Sequence, residues 1–512
     1  VSASRFSFLL GAATNWLAFA ATLAVSFFLT PYLIHALGKP RYDVWCVVEA
    51  ILAYFTLLDM GIAACLVRYV AKHKATGDIP GVNRMASSCL ALFLAAGAVA
   101  LLLGTPILFA MAPALEAKLD STGDVLPFML LMLANLAFTL PASVFPGILD
   151  GLEAFTAKSM IRLIALAIRT AGIVVAVNAG MGLFPLAIVY TMVNVAEHAA
   201  FAFLAWRRLP GLRFARGFVD RATLKEVRTF STDAFIAMLA GRITVQTGAI
   251  VVGAFLPGGQ VTFYATAARL VDYAKTLLRT ITTTLTPGVS AMEARGDHAG
   301  IAKLFCTATR WLLYAVLPIQ AGFLLFGKAF LHRWVGPEFV EGSDPALAIL
   351  SFTLSLGIAQ SVASRMLYGL GRLKWFSRAA LVEAALNVSL MVGLIGAWGV
   401  PGVAVAVAVP NALFCVFVLG FTLKQLDIPV RRYAGVWLRP LTMMIVPIAI
   451  WLGLGEAEPT WPSIFGKGLA GMVPYAIAVA VAEGFAAKVY ARFSNKVLPK
   501  RMKVAPSSIA TS

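Results

Sequence analysis

Apolar stretches of roughly twenty residues recur along this chain from Leu9 to Val489, separated by short polar segments, and no single soluble core can bury so many of them. Twenty helical residues span about 30 Å, the thickness of a bilayer's hydrocarbon. An all-α polytopic membrane protein is therefore expected, because a helix satisfies its own backbone polar groups in lipid. Composition agrees: of 512 residues, 60% are hydrophobic and 13% charged, with a mean hydropathy of +0.85.

Fourteen spans are expected, the first at Leu9 to Leu33 and the last at Leu469 to Val489. The first run leads directly into another span, so it reads as a retained helix and not a removed signal peptide. Loops rich in Lys and Arg stay in the cytoplasm. With both termini inside, 31 of the 42 basic residues fall in inner segments and six in outer ones, the other five lying within spans. That bias sets the orientation, with both termini cytoplasmic; a bacterial-type cytoplasmic (inner) membrane is the expected location. The net charge of +18 is dispersed among these loops, without the compact basic module that nucleic-acid binding needs.

An internal repeat divides the chain. The loop after span two carries Ala75, Gly77, Asp78, Gly81, Val82 and Arg84, and the loop after span eight carries Ala294, Gly296, Asp297, Gly300, Ile301 and Lys303 at a constant offset of 219 residues. Gly151 and Gly369, each followed by Leu, repeat at 218. Two parallel, pseudo-symmetric six-helix lobes are expected, at residues 1–206 and 230–423. A basic cytoplasmic linker at 207–229 joins them, two further helices occupy 424–490, and a basic cytoplasmic tail fills 491–512.

Charges at bilayer depth cost about 2.5 to 3.5 kcal/mol each on insertion scales and persist mainly beside a wet cavity or a partner. The bases are Arg169, Arg242, Arg269, Lys275 and Arg279; the acids are Glu49, Asp59, Glu197, Asp272, Glu383 and Glu483. Span eight concentrates four of them. At about 100° per residue, Arg269, Asp272, Lys275 and Arg279 fall within an arc of roughly 120°, a face unsuited to lipid. Three cations with one carboxylate suit a phosphate or pyrophosphate; an internal pairing of Asp272 with Arg269 or Lys275 is the structural alternative. Arg242, Arg269, Lys275 and Arg279 are the candidate substrate-binding residues. Asp59, Glu49 and Asp272 are the candidates for coupling to protons or sodium, since a carboxylate in a cavity can titrate usefully; for Asp59 the alternative is a pairing with a base such as Arg242. Glu197, Glu483 and Arg169 are expected near the interfaces. Pro141, Pro146, Pro318, Pro410 and Pro447 fall inside spans, where each permits a bend.

No catalytic residues, metal site or cofactor are expected. The five cysteines form no CxxC pair, and there is no GxxxxGK[ST], HExxH or GxSxG motif. A membrane-embedded glycosyl-transfer enzyme would show a large catalytic loop, which is missing, and a scaffold would not need the charges within its spans.

The stretch Thr30, Pro31, Tyr32, Leu33 to Gly38, then Tyr42, Asp43, Val44 and Trp45, then Leu57, Leu58, Asp59, Met60 and Gly61 through Val67, Arg68 and Tyr69 resembles the N-terminal signature of the polysaccharide flippase family in the MOP exporter superfamily. Gly253 to Leu256, followed by Tyr264 to Leu270, resembles the corresponding pattern of the second lobe. The usual Tyr-Gly is here Tyr42-Asp43. The resemblance implies a MOP/MATE-like fold, a cation-lined cavity between two lobes, and export of an undecaprenyl-pyrophosphate-linked oligosaccharide, in some members driven by an ion gradient. Partners so implied are the lipid-linked oligosaccharide, membrane lipids and polysaccharide polymerase or assembly proteins. The alternatives are a peptidoglycan lipid precursor flippase and a MATE-like drug or cation antiporter.

Overall fold

The computed structural model describes residues 2–59, 61–119, 124–219 and 232–497. The expected linker at 207–229 lies partly, and the tail at 491–512 largely, outside the described residues. Every described element is helical. α1 (Ser2–Leu37) is followed by a broken span, α2 (Lys39–Phe55) and α3 (Ile62–Ala75), bent by 41°. The break runs through a 3-10 turn, Thr56–Asp59, to Gly61 at φ 79°, a left-handed conformation that glycine adopts freely. α4 (Ile79–Glu116), the pair α5 (Val125–Ala142) and α6 (Val144–Gly151), α7 (Phe155–Asn178) and α8 (Leu183–Arg208) complete the N-terminal lobe. Pro141 stands next to the α5–α6 break.

The C-terminal lobe runs through α9 (Thr232–Phe255), α10 (Gln260–Thr282), α11 (Leu285–Glu293), α12 (His298–Trp334), α13 (Glu338–Phe352), α14 (Leu354–Gly369) and α15 (Lys374–Gln425). α12 continues through Pro318. α16 (Val430–Met443), α17 (Ile445–Gly453) and α18 (Trp461–Val497) are appended. α15 breaks at Gly399, whose φ of 57° is left-handed. A Cβ on Gly402 would lie 2.7 Å from the Leu394 carbonyl oxygen, so the chain folds back on itself there.

Among the described residues, ten helices are long and apolar enough to cross a membrane, or twelve counting two bent pairs. The expected fourteen are reached only by dividing α15 at Gly399 and by adding α10, whose four charges exclude it from a count based on apolarity. Large apolar side chains stand outward, as Leu102, Met192 and Leu438 do at 73%, 66% and 63% exposure, which suits acyl chains and not water.

The sequence repeat is also a packing repeat. Asp78 accepts the Gly81 amide at 2.8 Å to cap α4, and Asp297 accepts the Gly300 amide at 2.8 Å to cap α12. An ideal Cβ on Gly151 would meet Val70 at 2.7 Å and the Val67 carbonyl at 3.0 Å; on Gly369 it would meet Val289 at 2.6 Å and the Thr286 carbonyl at 3.3 Å. Val70 and Val289, like Val67 and Thr286, are again 219 positions apart. Both lobes thus bring the broken pair (α2–α3, α10–α11) against the following one at a glycine.

Candidate functional site: a charged cleft between the lobes

α2 and α10 face each other across the lobe boundary. The Arg269 guanidinium donates to the Glu49 carboxylate at 2.6 Å and lies over the Tyr42 ring at 5.5 Å. This contact lines a cavity of about 430 Å³ that also includes Ser26, Gln246, Asp272 and Tyr273. This ion pair joins the two lobes across the cavity.

The α10 face continues inward, but its charges divide. Lys275 and Arg279 line a second cavity of about 230 Å³ inside the C-terminal lobe, together with Thr244, Gln360, Glu383 and Asn411. Asp272 and Tyr264 line both cavities, so α10 is the wall between them. Asn411 donates to Glu383 at 2.8 Å. Among the described residues Lys275, Arg279 and Asp272 have no ion-pair partner within 4 Å, so the alternative pairing of Asp272 with Arg269 or Lys275 is not made. Lys275 and Arg279 thus stand without a direct ion pair in a partly desolvated space that they share with the carboxylates of Asp272 and Glu383.

The remaining sequence candidates lie apart. Arg242 is exposed on α9, next to the cavity-lining Gly241, and lines neither cavity. Asp59 accepts the Ala63 amide at 3.1 Å at the start of α3 and makes no ion pair with Arg242. Arg169 and Glu197, expected near the interfaces, pair with each other at 3.0 Å. Glu483 sits between Arg310 and Arg439, each at 3.3 Å, fastening α18 to α12 and α16. Glu197 and Glu483 are thus neutralised by arginines, as a charge that is costly to leave unpaired at this depth requires.

The end of the bundle that the charge bias assigns to the outside is closed by contacts that sequence reading missed. Asp43 accepts the amides of Gly259 at 2.6 Å and Thr262 at 2.7 Å, and also the Thr262 hydroxyl, so it caps α10 from the other lobe. Lys118 donates to the carbonyls of Gly253 and, at 2.7 Å, Leu256, capping the C-terminal end of α9. An acid at a helix N-terminus and a base at a C-terminus both oppose the helix dipole. Burial pulls the Lys118 ammonium below its ordinary range, with Asp43 acting in the opposite sense. The available signal was Asp43 itself, a carboxylate where the signature has glycine.

A protein-family model described as "Polysaccharide biosynthesis protein" matches residues 10–293. A probable low-salt glycan biosynthesis flippase, Agl15 of Haloferax volcanii, is 25% identical over 213 residues. That match covers 41% of this chain and 44% of the relative, so less than half of the relative's length is spanned. Among solved structures, the lipid II flippase MurJ in an inward closed conformation superposes with a TM-score of 0.70 at 15% identity, over 94% of this chain and 97% of that one. An inward-facing multidrug resistance MATE family transporter gives 0.63 at 15% identity, over 82% and 98%. Both likenesses show the fold.

Proposed function

The chain belongs to the polysaccharide biosynthesis protein family, in the MOP exporter superfamily, and on that premise we propose that it is a secondary transporter flipping an undecaprenyl-pyrophosphate-linked oligosaccharide from the cytoplasmic to the outer leaflet. The observation that carries this reading is the α10 face, where Arg269 stands at the lobe boundary, ion-paired with Glu49, and Lys275 and Arg279 line the adjoining cavity inside the C-terminal lobe without an ion pair. A diphosphate brings negative charge and several acceptors, which unpaired Lys and Arg satisfy strongly in a desolvated site. Lys275 and Arg279 hold the headgroup, Arg242 lies at the edge, and Arg269 exchanges Glu49 for phosphate. The prenyl chain stays in the bilayer while the lobes rock, opening the Asp43 and Lys118 contacts on the outer side. Glu49 and Asp272, which share the cleft, and Asp59 are the proposed coupling carboxylates for protons or sodium.

The test is translocation of a purified undecaprenyl-pyrophosphate oligosaccharide in sealed proteoliposomes, with and without a proton or sodium gradient. Gradient-stimulated translocation is the expected result. Drug efflux without translocation of any lipid-linked sugar would favour a MATE-like antiporter, and selective movement of the peptidoglycan precursor would favour that flippase.

A further inference from the structure

A third cavity, of about 440 Å³, lies between α1, α7 and the end of α10, within the range of roughly 300–1,000 Å³ typical of ligand sites. Its lining combines an aromatic ring with several polar groups. Trp16 presents an indole at 44% exposure, with Phe19 against it edge-on at 5.9 Å. Beside it stand Asn15 and Arg162, both exposed and without a hydrogen-bond partner among the described residues.

Four threonines complete the wall, and their hydrogen bonds are informative. Thr22 donates to the Ala18 carbonyl at 2.8 Å, Thr280 to Thr276 at 2.8 Å, Thr283 to Thr280 at 2.7 Å and Thr284 to Ile281 at 2.8 Å. Each hydroxyl proton is spent on its own backbone, so the oxygens that line the cavity are left as acceptors. A surface of hydroxyl acceptors, one free amide, one free guanidinium and an aromatic face complements a molecule rich in hydroxyl donors with apolar C–H faces. A sugar ring is such a molecule: its C–H face packs on the negative face of an indole, and its hydroxyls donate to the threonine oxygens. An acyl chain would gain nothing from these polar groups.

Position supports the same occupant. Thr283, the helically disposed residue just past the end of α10, follows Arg279 by four residues, one helical turn and about 6 Å, on nearly the same face. In a lipid-linked saccharide the first sugar is bonded directly to the diphosphate, so a headgroup at Arg279 places that sugar at this depth. Resting on the flippase reading above, we propose that Trp16, Asn15, Arg162 and these threonines form the subsite that binds the saccharide of the lipid-linked substrate, with Arg162 placed to pair an acidic group on the sugar.

The test is native mass spectrometry of the full-length protein with an equal mixture of two probes: the polyprenyl-pyrophosphate saccharide pool extracted from the source membranes, and bare polyprenyl pyrophosphate of the same chain length. Wild type is expected to retain the glycosylated lipid preferentially. Trp16→Ala and the isosteric pair Thr283→Val with Thr284→Val each lower the glycosylated-to-bare ratio about tenfold, while Trp16→Phe keeps it within about twofold. An unchanged ratio in all variants overturns the subsite, as does equal loss of both lipids in the variants, which marks a passage for the prenyl chain. Equal retention of the two lipids by wild type overturns the subsite and leaves the flippase reading standing. Retention of neither overturns both.

Discussion

The two lobes use the same packing and carry different chemistry. At the 219-residue offset, Arg269, Asp272, Lys275 and Arg279 stand where the first copy has Ala50, Ala53, Thr56 and Met60. The aspartate caps and the glycine contacts recur in both lobes, whereas the run of membrane charges belongs to one. Asp43 and Thr262 are themselves equivalent positions at this offset, and they bond to each other. The lobes therefore meet at matching points of the repeat. The repeat shares what holds the helices together, while the run of charges stands on one side of the boundary.

The largest expected effect breaks this asymmetry. Replacing Lys275 or Arg279 by Gln removes one charge-assisted contact, worth about 1.5–3 kcal/mol, so transport in proteoliposomes falls roughly 10- to 100-fold. Ala50→Ser in the first copy leaves transport within about twofold. Equal losses on both sides would show that the asymmetry in sequence is not one in function.

Gly151→Ala and Gly369→Ala test the shared part. Each new methyl meets a valine at under 3 Å, and overpacking costs about 1–3 kcal/mol. Both variants should lower the thermal midpoint in detergent by similar amounts, and a large drop in one alone would mean that the lobes are held differently. Asp43→Ala removes a cap worth about 0.5–2 kcal/mol, weakening the closed outer end. Labelling of a cysteine placed at Val261 by an impermeant reagent should rise several-fold, and unchanged labelling would place the outer closure elsewhere.

The smallest effect concerns the inner caps. The Gly81 amide above all, helped by the His73 and Arg84 charges, holds the Asp78 carboxyl below its ordinary range, against a desolvation effect that ranks second and acts in the opposite sense. A depressed folded value means that the stabilisation is fully present above the unfolded value of about 4 and is lost as pH falls through the folded one. The stability gap between wild type and Asp78→Ala should be present above about pH 4 and shrink below it.

The membrane class, the duplication and the charged α10 face were legible in the sequence because each is periodic: spans at twenty residues, loops at 219, charges on one helical face. Partners were not legible. Arg269 pairs with Glu49, 220 positions away, and Asp43 caps a helix of the opposite lobe, contacts that only the docking of two lobes creates. The split of the cations between two cavities also depends on how α10 is rotated between its neighbours, which helical angles alone do not give. Trp16 and Arg162 were hidden for a different reason, since they lie on separate helices and belong to no repeated pattern.

The most direct test of the central claim is the affinity of undecaprenyl pyrophosphate for wild type and for the double variant Lys275→Gln with Arg279→Gln, both verified as folded. Wild type is expected to bind, and the double variant to lose at least about 100-fold. Equal affinity in the two proteins would contradict that claim, because the α10 cations would then not be what holds the headgroup.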